Sequence, residues 1–364
     1  MKIPIAKPDI GKDEIAEVVE TMRSGWVTQG EKVEEFERSF AQYCGVKYGV
    51  AVNSGTAALH VALASLGIKA GDEIVTTPLS CVATTNPILY LNAKPVFADV
   101  DQATLNINPA LIAHRITQKT KAILPVHLFG HPVDLDPLAE LAQKHGIPIV
   151  EDAAQAHGAK YKGKKVGAFG HISCFSFYAD KCITTVEGGM ALTDDQELAE
   201  RMRLLRSFGM HKHRKFYHPI LGYNYKMSDI HAAIGLAQLR KLNHYIERRR
   251  KNISYLRKQI SSSNLRLPSE QQYAFNVYYV CHVLAEKGKD KIVQYLEKKG
   301  IETRPLLSFI PEQPPYQSYG YNTNEFRLAR NAHQNGFYVT NSPLLAEDEL
   351  DYLVSTLNSS SSEI

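Results

Sequence analysis

Cys174-Phe175-Ser176-Phe177-Tyr178-Ala179-Asp180-Lys181 runs on through Cys182-Ile183-Thr184-Thr185 to Val186-Glu187-Gly188-Gly189. The short apolar run reads as a buried strand that delivers one lysine into a loop closed by a glycine pair. A lysine is costly to bury unless its charge is paired or its amine is used chemically. One such use is as a Schiff-base nucleophile toward a carbonyl cofactor. The plainer alternative is a lysine at a strand end whose ammonium reaches water. The surrounding sequence has to decide between them.

Outward from this stretch the same texture repeats. Strand-like runs fall at 49–52, 73–77, 95–98, 122–127, 147–151, 172–177 and 189–193, with helical patterns such as 57–66 and 135–144 between them. This alternation predicts a doubly wound, mainly parallel sheet, whose ligands sit beyond the carboxyl ends of the strands. Upstream, Ile15, Val18, Val19 and Met22 have the spacing of an amphipathic helix. The turn Ser24-Gly25-Trp26-Val27-Thr28-Gln29-Gly30 follows, then a second helix with Val33, Phe36 and Phe40 on one side. Downstream, Ser228 suits the N-cap of a long helix through Ile230, Ala233, Ile234 and Ala237 toward Arg250. A strand at 277–284 and helices at 289–299 and 349–357 come next. We expect a large domain over 1–245 and a smaller α+β domain over 246–364.

The 364 residues suffice for such a pair of domains, and 44% hydrophobic with 22% charged residues is ordinary soluble composition. A net charge of +4 is too small to imply nucleic acid or membrane binding. Cys44, Cys81, Cys174, Cys182 and Cys281 are odd in number and lack metal spacing, which suits reduced thiols and predicts no metal site. Met1-Lys2-Ile3-Pro4 carries no signal-like apolar run, and a cytoplasmic location is expected. Ser359-Ser360-Ser361-Ser362 reads as a frayed tail.

Three further stretches bear on the lysine. Asn53-Ser54-Gly55-Thr56-Ala57-Ala58-Leu59 follows a strand and opens a helix, where free amides and the dipole favour a phosphate and Gly55 allows close approach. Taken alone it is also a good helix cap. Asp152, just past the apolar strand of Ile147-Pro148-Ile149-Val150, suits a protonated ring nitrogen as well as a turn cap. Ser176, five residues before Lys181, is placed to donate to the same phosphate. Together these are an anion cradle, a pyridinium partner and a Schiff-base lysine, the set a pyridoxal phosphate site demands.

With these motifs the chain resembles the DegT/DnrJ/EryC1/StrS sugar aminotransferases, of aspartate-aminotransferase-like (fold type I) architecture. The resemblance runs from Pro4 to Leu357. Besides the stretches quoted, it rests on Gly71-Asp72-Glu73, Glu151-Asp152-Ala153-Ala154-Gln155-Ala156, Gly163 to Gly167, and Tyr223-Asn224-Tyr225-Lys226-Met227. Ile301-Glu302-Thr303-Arg304-Pro305 points to the perosamine synthase-like branch. The resemblance implies that Lys181 bonds the cofactor and, once freed, shuttles protons. It implies that Asp152 keeps the ring nitrogen protonated and that Gln155 lies near the ring oxygen. Gly55, Thr56 and Ser176 would hold the phosphate, and Asn224 would reach it from the other subunit of a homodimer. Pyridoxamine phosphate would carry the amino group from L-glutamate to a nucleotide-linked keto sugar, with C4 of a 4-keto-6-deoxyhexose favoured. Amination at C3 or of another keto sugar stays open, as does a non-catalytic regulatory protein on the same scaffold.

Two positions depart from the family pattern. Cys81 stands where an aromatic residue normally covers the cofactor ring, and Tyr178 replaces a histidine. Trp26 and Arg304 are candidate substrate contacts; Arg304 suits a carboxylate or phosphate, or an ordinary ion pair. The mixture of His211, Lys212, His213, Arg214 and Lys215 with Phe216, Tyr217, Tyr223 and Tyr225 is taken as a loop near the active site facing a sugar diphosphate. Glu247-Arg248-Arg249-Arg250-Lys251 reads as a solvated helix face.

Overall fold

The computed structural model describes residues 1–211 and 214–360; Lys212 and His213 of the basic loop and Ser361 and Ser362 of the tail lie outside them. Seven strands form the central sheet: β1 (Tyr48–Val52), β2 (Glu73–Thr76), β3 (Lys94–Phe97), β4 (Thr120–Leu124), β5 (Val150–Asp152), β6 (Ile172–Ser176) and β7 (Gly189–Thr193). Their order is β1-β7-β6-β5-β4-β2-β3. Parallel bridges Ile123–Ile149 and Val126–Asp152 join β4 to β5. The sheet is buried on both faces, so β6 and β7 carry buried residues throughout instead of an alternating pattern. The expected doubly wound architecture is present, with one exception in direction. β7 runs antiparallel to both its neighbours, Ser176 lying opposite Gly189 and Val52 opposite Gly189 on the other side. Residues 177–188 join β6 to β7 as a hairpin loop with no crossover helix, as an antiparallel pair allows.

The first helix (Lys12–Arg23) forms as its periodicity predicts, but it lies with its polar face inward. Glu14 and Thr21 are buried, while Ile15, Val19 and Met22 are exposed. Glu14 accepts from Lys241 and Gln238 of the long helix Asp229–Gln259, and Glu17 accepts from Lys32 and Arg240. The helix thus meets the Asp229–Gln259 helix through charged contacts and leaves its apolar stripe on the surface of the chain.

The Asp229–Gln259 helix is capped by Ser228, whose Oγ accepts from His231 N. It leads to a four-stranded sheet containing Cys281–Ala285 and Gly336–Val339, covered by the helices Lys289–Lys298 and Glu347–Ser360. The arginine run on this helix is not a solvated face. Arg249 is buried and donates to the carbonyls of Tyr279 and Asn341 at 2.6 and 2.8 Å. Arg248 donates to Pro343 and Leu345 carbonyls, and Arg250 to Glu270 and the Asn276 carbonyl. Each guanidinium satisfies carbonyls of irregular backbone that sheet bonds cannot reach. Among the described residues, no helix is long and apolar enough to cross a membrane.

Candidate active site

The carboxyl ends of β1, β5 and β6 carry the candidate residues. At the end of β1 the Gly55–Ser65 helix begins, capped by Ser54 Oγ, which accepts from Ala57 N at 3.1 Å. The amides of Gly55 and Thr56, as in any first helical turn, have no intrahelical acceptor. A Cβ on Gly55 would come within 2.7 Å of Ser176 Cβ, and one on Gly189 within 2.2 Å of the Ser54 carbonyl oxygen. Glycine at both points lets the helix start press against the end of β6. Ser176 thus lies against the helix start that carries the two free amides.

β5 delivers two adjacent carboxylates, both buried, to opposite sides of the strand. Glu151 accepts from His127 Nε2 (3.0 Å), Ser173 Oγ (2.6 Å), and the amides of Gly170 (2.7 Å), Phe169 (3.1 Å) and Gly167 (3.4 Å). His127 Nδ1 accepts from Val133 N, so Nε2 carries the proton that bonds Glu151. Burial alone would raise the Glu151 pKa; the donors, led by His127, outweigh it and hold the carboxyl at about 2. Asp152 has two donors: Thr84 Oγ1 on Oδ2 at 2.8 Å and Ala154 N on Oδ1 at 3.1 Å. Here burial prevails and the pKa is raised, although Thr84, Ala154 and the charge of Lys181 oppose it. Asp152 ends β5, and Lys181 follows the end of β6, the parallel neighbour of β5.

Lys181 is largely buried, its Nζ 3.4 Å from Tyr279 Oη and 3.8 Å from Asp180 Oδ1. Tyr279 is buried, which pushes its phenol pKa well up, with the Asp180 charge adding to the effect. Behind the lysine lies a cavity of about 40 Å³ lined by Ile5 to Asp9, Arg249, Tyr279, Tyr338 and Asn341. An outer crevice of about 310 Å³ shares Asp180 and Tyr338 with it and extends to Tyr178 and Arg304. The lysine loop is held by its own threonines. Thr184 Oγ1 donates to the Phe177 carbonyl and accepts from Val186 N, and Thr185 Oγ1 donates to the Glu187 carbonyl.

Gln155 accepts from Phe129 N with Oε1 at 2.6 Å, and its Nε2 has no partner among the described residues. The amide is therefore fixed with a donor to spare. Lys181, Asp152, Gln155, Ser176, Gly55 and Thr56 are brought to one group of strand ends. Cys81 is exposed, at the start of the turn Val82–Thr84 that also carries Thr84. Arg304 is exposed and paired with Glu302 at 2.9 Å, on the rim of the outer crevice. Trp26 stays on its turn, 60% exposed, with Nε1 donating to the Gln29 carbonyl. Asn224 is exposed on a strip bridged to Ser207 and bordering β1, where Asn53 N donates to the Tyr225 carbonyl. Flanking Asn224, the Tyr223 and Tyr225 rings stack at 5.0 Å and both pack on His60.

The DegT/DnrJ/EryC1/StrS aminotransferase family profile matches residues 8–358. The chain belongs to this family. GDP-perosamine synthases of Caulobacter vibrioides and Escherichia coli O157:H7 are each 37% identical to it, over 98% of both chains. The solved structure of a Streptococcus pneumoniae chain described as a sugar aminotransferase superposes with a TM-score of 0.96 at 29% identity, covering 100% of this chain and 98% of that one. It has been solved in PLP and PMP forms. The protein is a pyridoxal-phosphate-dependent sugar aminotransferase.

The residues present fit that cofactor: an unengaged Gln155 donor, a glycine-lined helix start against Ser176, and a buried carboxylate with acceptor capacity left. Sequence reasoning missed Thr84 and Tyr279. Thr84 was within reach, since it stands four residues after Ser80 on the turn that carries Cys81. Tyr279 had no local signal, arriving 98 residues after the lysine it touches.

Proposed function

We propose that the enzyme transfers the amino group of L-glutamate to the C4 keto group of a GDP-linked 4-keto-6-deoxyhexose, as a cytoplasmic homodimer. The observation that carries this reading is that the buried Asp152 carboxylate ends β5 while Lys181 is presented by the loop that leaves β6, its parallel neighbour. The sugar and its GDP are supported by the two perosamine synthases alike over nearly the whole chain.

The cofactor, when bound, supplies an aldehyde and a ring that stabilises negative charge on the reacting carbon. This chain's residues do the rest. Asp152 would accept the ring N–H and keep that proton in place, and Gln155 Nε2 would donate to the ring oxygen. The Gly55 and Thr56 amides with Ser176 Oγ would hold the phosphate. Lys181 Nζ would take the proton from the substrate carbon and later give a proton back, serving in turn as base and acid. Tyr178, Arg304 and Tyr338 border the crevice through which a charged substrate would reach the lysine. The dimer reading is supported by the exposed Asn224, whose side chain bonds none of the described residues, and by large apolar side chains left bare nearby in the chain, Phe208, Phe216 and Leu221.

Incubating the purified enzyme with glutamate and GDP-, dTDP- or UDP-linked keto sugars tests the assignment. We expect 2-oxoglutarate and a 4-amino sugar from the GDP compound, and no turnover with Lys181→Ala. Preferred amination of another nucleotide sugar, or at C3, would move the protein to a different substrate within the family. Sedimentation as a monomer that is fully active would overturn the shared-site dimer.

A further inference from the structure

Asp152 sits at the end of a hydroxyl relay. Ser80 Oγ lies 2.7 Å from Thr84 Oγ1, and Thr84 Oγ1 lies 2.8 Å from Asp152 Oδ2. All three side chains are buried. The direction of the relay follows from the donor inventory. An ionised carboxylate only accepts, so the single Thr84 proton goes to Oδ2, and Thr84 Oγ1 is left to accept from Ser80. The Ser80 proton thereby strengthens the Thr84 donor, as bonds in a chain polarise one another. With Ala154 N on Oδ1, each carboxylate oxygen has one donor and keeps a lone pair. A buried carboxylate with no donor would take a proton itself.

Resting on the reading of Asp152 as partner of the cofactor's ring nitrogen, we propose that Thr84, backed by Ser80, is a positioning residue that keeps the shared proton on that nitrogen. Removing the hydroxyl makes Asp152 the stronger base, and the proton moves from the ring to the carboxyl. The ring then withdraws electrons less well. Ser80 also pairs through its backbone with Ser308, so the relay starts at a two-stranded contact between residues 79–80 and 308–309.

Thr84→Val keeps the shape and deletes the hydroxyl; Thr84→Ser restores it. The holoenzyme, loaded with cofactor labelled with nitrogen-15 in the ring, reports directly where the proton lies. We expect a protonated-ring resonance in the wild type and in Thr84→Ser, and a shift toward the neutral ring in Thr84→Val. On acidification, turnover of Thr84→Val should fall at a pH about one unit higher than in the wild type, since a carboxylate robbed of a donor protonates more readily. Ser80→Ala should shift both readouts the same way by a smaller amount, and serves if Thr84→Val does not fold. Asp152→Asn separates the two layers of the argument. If it neutralises the ring while Thr84→Val and Ser80→Ala match the wild type, the relay is overturned. If Asp152→Asn itself leaves the ring protonated, the ring-partner reading of Asp152 falls first.

Discussion

Glu151 and Asp152 are neighbours on β5, equally buried, and opposite in behaviour. Glu151 has five donors and is held at about pH 2 as a permanent anion. Asp152 has two donors and a raised pKa. One residue's shift along a strand exchanges faces, and with them purposes. On the Glu151 face the carboxylate is a hub that ties the Gly167–Gly170 turn, β6 and His127 together. On the Asp152 face acceptor capacity is left unfilled, which is what a ring N–H needs.

Exchanging the chemistry of the two positions sharpens this contrast. Asp152→Asn should lower turnover by about a thousandfold, roughly 4 kcal/mol of barrier, with the urea midpoint little changed; comparable losses in both would erase the distinction. Glu151→Gln should do the reverse. It leaves donors facing an NH₂ group, so equilibrium unfolding should show a loss of about 3 kcal/mol while kcat per folded enzyme changes less than about tenfold.

Acid titration probes the same hub without mutation. The folded pKa of Glu151 is depressed, so its contribution is fully present above the unfolded carboxyl value and is lost as pH falls through the folded value of about 2. Stability on the order of 3 kcal/mol should disappear between pH 4.5 and 2. In Glu151→Gln the slope in that window should flatten; an unchanged slope would place the acid sensitivity elsewhere. Least of all, Ser173→Ala removes one donor of five and should cost about 1–2 kcal/mol in urea unfolding, with turnover unaffected.

The sequence made Lys181 and Asp152 legible because Asp152 ends one apolar strand and Lys181 leaves the end of the next, and parallel sheets collect such ends on one side. The Gly55 turn was legible for the same reason, with glycine marking a close approach that Ser176 completes. What could not be read was set by pairs distant in the chain. The Lys12–Arg23 helix has an apolar stripe that stays on the surface of the chain, while Glu14 and Glu17 on its other side meet cationic partners on a helix more than 200 residues away. The arginines at 248–250 looked solvated because their acceptors are carbonyls of loops with no sequence signature. The antiparallel run of β7 was not legible either, because the short stretch between Ser176 and Gly189 is long enough for a minimal crossover as well as for a hairpin loop.

That short stretch has a consequence for the order in which the molecule assembles. Ser176 and Gly189 face each other across a loop of residues 177–188, a closure whose entropy is small and depends only weakly on length. The amine of Lys181 is presented by this local hairpin, whereas the phenol that covers it comes from Tyr279, 98 residues downstream. Local contacts form faster than distant ones. During folding or synthesis the lysine is therefore displayed before it is enclosed, and hydrogen exchange should find the β6–β7 amides protected ahead of those at 277–280.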